Sequence, residues 1–211
     1  METKTEKIQG WFQNFWFYHK WKVLIALGLI LVLAVLIAQC SSSHPADYSV
    51  VVNVNGTLNA QQLESFQQEL VQYAEDVNAD GIVDVEIINI SYWDRDKNTQ
   101  LAQANITKLI AQISMSECFI YIGDQRGMEQ FAEYELPAQH DFLPDYDHTA
   151  WNWKGSAMAQ NLKNTQFPED LYFTIRKVAG TAIEDDKDVF VREQQSLDFL
   201  QRIVEQSATE K

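Results

Sequence analysis

Hydropathy divides this chain before any other property does. From Val23 to Ala38 sixteen consecutive residues are apolar. At ~1.5 Å per residue they cover about 24 Å of a ~30 Å hydrocarbon core, so the transmembrane helix is placed at residues 23–40, with Trp21 on its cytoplasmic side helping to complete the span. Phe15, Trp16, Phe17 and Tyr18 precede it as an interfacial aromatic belt, and Lys20 and Lys22 have stems long enough to reach the headgroups. Lys4, Lys7, Lys20 and Lys22 lie ahead of the run, and the first cation after it is Arg95. The positive-inside rule therefore places residues 1–22 in the cytoplasm and the long C-terminal part outside the cell membrane, a signal-anchor arrangement with one pass. Ile37-Ala38-Gln39-Cys40 has Gln39 where signal peptidase wants a small residue, which disfavours cleavage. The same four residues are close to a lipidation box at Cys40.

Residues 41–46 are a short polar linker with Pro45. Beyond it, over residues 47–211, the pattern alternates between strand and helix. Tyr48 to Val54 is a β-branched run of the kind buried on both faces of a sheet. Asn59 and Gln62 form a capping box, with Leu58 and Leu63 as the staple, ahead of a stripe of Leu63, Phe66, Leu70 and Tyr73. Asn78-Ala79-Asp80-Gly81 is a turn, and Val83, Val85 and Ile87 alternate with Asp84 and Glu86 in a strand ending near Ser91. Thr99 to Ser114 sets Ala102, Ile106, Leu109, Ile110 and Ile113 on one helical face, and Cys118 to Ile122 is an apolar strand closed by Gly123-Asp124. This order predicts an α/β domain: a small, mostly parallel β-α-β-α-β sheet with helices on both faces. Met128 to Tyr134 reads as a further helix, Leu136 to Gln166 as loop, Leu171 to Val178 as a strand, and Asp188 to Glu205 as a final helix carrying Phe190, Leu197, Leu200 and Val204.

Charge narrows the partners. A formal net charge of -14 excludes nucleic acid, whose phosphates need clustered cations. Cys40 and Cys118 are the only cysteines, one beside the anchor and one in a buried strand, so no disulfide framework is expected. No nucleophile elbow, phosphate-binding glycine loop or HExxH is present, and the reading is of a protein that is not an enzyme.

Candidate chemistry lies in three places. Ligands of parallel sheets sit at the carboxyl ends of the strands, which here supply Asn55, Trp93 and Asp124 for a small polar ligand, with ordinary turns as the bland alternative. His140, Asp141, Asp145, Asp147 and His148 crowd one loop without a recognised metal-ligand spacing, with Trp151 and Trp153 close by. Asp76, Asn78, Asp80, the Ile82 carbonyl and Asp84 occupy alternate places of a calcium-type loop, with Gly81 at its sharp turn. Its twelfth place is Ile87 rather than a carboxylate, and Glu86 is the expected substitute from the eleventh. Calcium is thus the one cofactor the spacing suggests, against an Asp-Gly turn.

The helix Thr99 to Ser114 leading into Cys118 to Asp124, then a short helix and an irregular acidic stretch, resembles one lobe of an extracellular solute-binding protein. Phe17-Tyr18-His19-Lys20-Trp21-Lys22 with the anchor is similar to uncharacterised single-pass proteins of Gram-positive anaerobes. These resemblances imply a membrane-anchored extracytoplasmic binding or interaction domain, with a cell-envelope hydrolase or a structural partner of another membrane protein as alternatives.

Overall fold

The computed structural model describes residues 4–41, 45–91, 99–115, 117–181 and 183–207. Contacts divide the chain into two units, Met1–Pro45 and Ala46–Lys211. The first unit is a single helix, α1 (Lys4–Ser41). Within it Trp16–Val35, 20 residues of mean hydropathy 1.7, is long and apolar enough to cross a membrane. Its apolar side chains point outward on every side, with Phe17, Trp21, Ile25, Leu29 and Val32 all exposed. A helix apolar all round has no solvent face to offer, which is the composition of a membrane span. The linker reading falls largely on residues outside those described.

The second unit contains β1 (Tyr48–Asn53), α2 (Ala60–Val71), β2 (Val85–Asn89), α3 (Thr99–Ser114), β3 (Ile120–Gly123), α4 (Gln125–Glu133), β4 (Trp151–Asn152), α5 (Ala157–Asn161), a 3-10 turn (Lys163–Thr165), β5 (Tyr172–Ile175) and α6 (Lys187–Ser207). Local chemistry accounts for several boundaries. Asn59 Oδ1 accepts from the Gln62 N–H and Gln62 Oε1 from the Asn59 N–H, each at 2.9 Å, so the capping box starts α2. The helix stops at Val71, leaving Tyr73 in the turn that follows.

The sheet order is β2-β1-β3-β5-β4. β1 pairs in parallel with β2 and β3, whereas β3–β5 and β5–β4 are antiparallel. The sheet is therefore mixed, not mostly parallel. A parallel neighbour needs a crossover helix, which α2 and α3 provide; the chain from β4 to β5 stays at one end of the sheet, so those strands run opposite ways. The stretch expected to be loop, Leu136 to Gln166, holds β4, α5 and the 3-10 turn.

Helices cover both faces. Val50, Val52, Val85, Ile120, Ile122 and Phe173 face one core with Phe66 and Leu70 of α2 and Phe199, Leu200 and Ile203 of α6. Val51 and Tyr121 face the other, with Leu109 of α3 and Met128 and Phe131 of α4. The expected stripes of α3 and α6 face the cores through Ala102, Leu109 and Ile113 and through Leu197, Leu200 and Val204, and each departs at one residue. Ile110 is 46% exposed, although Leu109 beside it is buried, and on α6 the buried set is Val189, Phe199, Leu200 and Ile203 while Phe190 is 57% exposed. Both helices carry adjacent apolar rows, and contacts such as the Tyr48–Phe199 ring stack, centroids 4.2 Å apart, decide which row turns inward.

With its core built entirely from its own elements, residues 46–211 expressed without α1 should give one cooperative urea transition by near- and far-ultraviolet circular dichroism. Loss of near-ultraviolet signal ahead of helix content would contradict this.

Candidate functional site

At the carboxyl end of β1 and β3 the structure brings Asn55 and Asp124 together. Asp124 is the N-cap of α4: its Oδ1 accepts from the Gly127 N–H at 2.9 Å, and its Oδ2 from the Asn55 N–H at 3.0 Å. Trp93 lies outside the described residues. The notch beside the two strand ends is filled by α4 itself. A Cβ on Gly127 would sit 2.3 Å from the Asn53 carbonyl oxygen, and one on Gly123 3.1 Å from the Gly127 carbonyl carbon. Asn53 Nδ2 donates to Gln130 Oε1 at 2.7 Å, while the buried Asn53 Oδ1 finds no donor among the described residues. Asp124 and Asn55 thus fasten α4 to the sheet.

The 76–84 loop is held by Asp and Asn side-chain oxygens accepting backbone N–H groups. Asp76 takes those of Asp80 and Gly81, Asn78 Oδ1 that of Asp80, and Asp80 that of Ile82. Ala79 and Gly81 adopt left-handed conformations, φ 58 and 84. Asp47, which the hydropathy pattern does not single out, accepts from Val77, Asn78 and Asp84 and so ties both ends of the loop to the start of β1. Asp84 Oδ1 takes Gln67 of α2, whereas Glu86 takes the Ser49 hydroxyl at 3.2 Å. Ile87 packs against the core with α2, so the preceding strand position, Glu86, faces the other side of the sheet, away from Asp84. The alternation expected to bring Glu86 beside Asp84 fails because the strand begins only at Val85. Among the described residues no three His, Cys, Asp or Glu side chains are grouped to hold a metal ion.

That statement includes the His140 to His148 loop, whose polar groups brace the backbone. His140 N–H donates to the His148 carbonyl at 2.7 Å, His148 Nδ1 lies 3.0 Å from the Leu143 carbonyl, and Asp145 Oδ2 accepts from the Asn152 N–H. Burial lowers the His140 pKa, and Tyr146, Asp147 and His148 all have positive φ. Trp151 and Trp153 pin the loop by packing against Phe173. Cys118 is a free buried thiol donating to the Ser49 carbonyl, and burial pushes its pKa up to about 12, the opposite of what a thiolate nucleophile requires.

A cleft that the sequence pattern does not announce opens directly after β4. Because β4 runs the same way as β1 and β3, it lies at the carboxyl end of the sheet. Its volume is about 170 Å³, and Trp153, Leu162, Phe167 and Pro168 make its apolar lining, with Lys154 and Lys163 at the rim. Trp153 Nε1 donates to the Glu169 carbonyl at 3.1 Å, and Gln62 of α2 donates to the carbonyl of left-handed Gln166 at 2.9 Å, so both walls are fixed to the core. A larger opening of about 450 Å³ runs along the β2 edge between Glu86, Asn89, Lys108 and Glu117. It is lined mainly by polar groups, and Lys108 already donates to the Asn89 carbonyl there.

Neither a protein-family model, nor a curated protein, nor a solved structure matches this chain. Function is therefore read from its own geometry.

The close approach of α4 to β1 has a measurable consequence. Ala is a better helix former than Gly by about 1 kcal/mol, but overpacking against a backbone oxygen costs roughly 1–3 kcal/mol and should win. Gly127→Ala should lower the urea midpoint; a raised midpoint would mean that α4 stands clear of the strand.

Proposed function

We propose that this protein is a membrane-tethered binding or interaction domain, held by α1 with residues 1–22 in the cytoplasm and the acidic α/β unit outside the cell. One observation carries the reading: a 20-residue stretch of helix long and apolar enough to cross a membrane precedes a compact unit with its own two-sided core. The resemblance to one lobe of a solute-binding protein supports binding rather than turnover, as does a cleft at the carboxyl end of the sheet. A hydrolase using Asp124 is the weaker alternative, since both carboxylate oxygens of that residue hold backbone N–H groups. A cysteine introduced at Thr3 should be protected from a membrane-impermeant thiol reagent in intact cells and one at Gln195 should react. The reverse pattern would overturn the orientation.

Weak calcium binding at the 76–84 loop is the second reading. The left-handed Ala79 and Gly81 wrap the loop so that oxygens of Asp76, Asn78 and Asp80 all bond within one turn. With no carboxylate in the twelfth place, affinity should be on the order of 10⁻⁴ to 10⁻³ M. Millimolar calcium should then raise the Tm slightly over chelator, and Asp80→Ala should abolish the difference. Identical curves for the wild-type protein with calcium and with chelator would leave only the turn.

A further inference from the structure

We infer that the cleft after β4 binds a small organic anion, a carboxylate on a compact apolar body. The inference rests on the binding-domain reading and gives it a ligand class. Ligand sites are mostly apolar with a few polar groups at fixed places, and this cleft has that make-up, with Leu162, Phe167 and Pro168 lining it and two ammonium groups at the rim. Four of the sixteen lysines and arginines precede Val23, so twelve remain to offset twenty-eight Asp and Glu over the rest of the chain, yet two of the twelve flank one opening. Lys154 is held by Asp170 at 3.6 Å, and Asp170 in turn accepts from Asn152 Nδ2 at 2.8 Å. Lys163, the first residue of the 3-10 turn, has no ion-pair partner among the described residues, so its charge is free to meet an anion. Screening over ~8 Å in physiological salt limits the repulsion from carboxylates elsewhere on the domain, while a charge seated in the cleft feels Lys163 directly. Glu169 lines the same cleft and disfavours a second negative group on the ligand. Other polar atoms of the walls are already engaged, Trp153 Nε1 with the Glu169 carbonyl and Gln160 Nε2 with the Gly155 carbonyl, which leaves the ammonium group as the discriminating contact.

The test uses the full chain in detergent micelles, ¹⁵N-labelled at tryptophan, with the Trp153 indole N–H assigned by Trp153→Phe. Benzoate should shift that resonance saturably, benzylamine should not, and Lys163→Glu should weaken the benzoate response at least about tenfold. Lys108→Glu, at the β2 edge, should leave it unchanged, which separates the rim from net charge. The inference is overturned by no saturable shift with benzoate, by an equal response to benzylamine, or by an unaltered response in Lys163→Glu when its other resonances match the parent. Outward labelling at Gln195 together with a silent Trp153 would remove this ligand and keep the tethered domain; inward labelling would remove the latter whatever benzoate does.

Discussion

The outer unit depends on one strand with no exposed side. Val50, Val51 and Val52 of β1 are completely buried, alternating between the α2/α6 core and the α3/α4 core, and both edges of the strand are paired. Each such valine is worth roughly 1.5–3 kcal/mol on burial, and neither core could close without the other, because a strand covered on one face only would leave half of this apolar run in water. Everything else is placed by reference to β1: β2 and β3 by its ladders, α4 by its last carbonyl, and the 76–84 loop by the carboxylate just before it.

The closeness of α4 changes where a ligand can sit. In a sheet of this order the crevice between β1 and β3 is the usual opening, because crossovers leave the strand ends in opposite directions there. Here Gly123 and Gly127, both lacking a Cβ, let the helix come down onto the Asn53 carbonyl, and Asp124 bonds to both sides of the gap. The opening moves instead to the antiparallel side of the sheet, where the excursion from β4 to β5 arches over Trp153 and Phe167. Two antiparallel strands joined at one end need a connection there, and this connection, with α5 in it, is what forms the cleft.

Asp47 plays a similar organising part at the other end. A carboxylate accepting three backbone N–H groups satisfies donors that no helix or ladder reaches, and it does so for the two ends of a loop separated in sequence by several residues. The loop is thereby closed at its base whether or not an ion enters it. Asp84 is held from three sides: its N–H donates to the Asp47 carboxylate, its side chain accepts from Gln67, and its carbonyl accepts from the Asp47 N–H at 3.0 Å.

What the sequence determined by itself were the features written in contiguous residues. The apolar run that forms the membrane-length part of α1, the capping box at Asn59, the bounds of α3, and the alternation from β1 to β3 all follow from local periodicity and side-chain chemistry, which need no distant partner. The neighbourhood of Asn55 and Asp124 was also legible, because strand ends on one side of a parallel sheet must lie together. Only the tertiary structure decided the direction of β5, the outward turn of Ile110 and Phe190, the filling of the notch by α4, the clamp at Asp47 and the cleft after β4. Each of these depends on groups far apart in the chain, such as Gly127 with Asn53 or Gln62 with Gln166. A helix with two adjacent apolar rows carries no preference between them, and a strand no direction, until packing against a particular neighbour makes one choice lower in free energy.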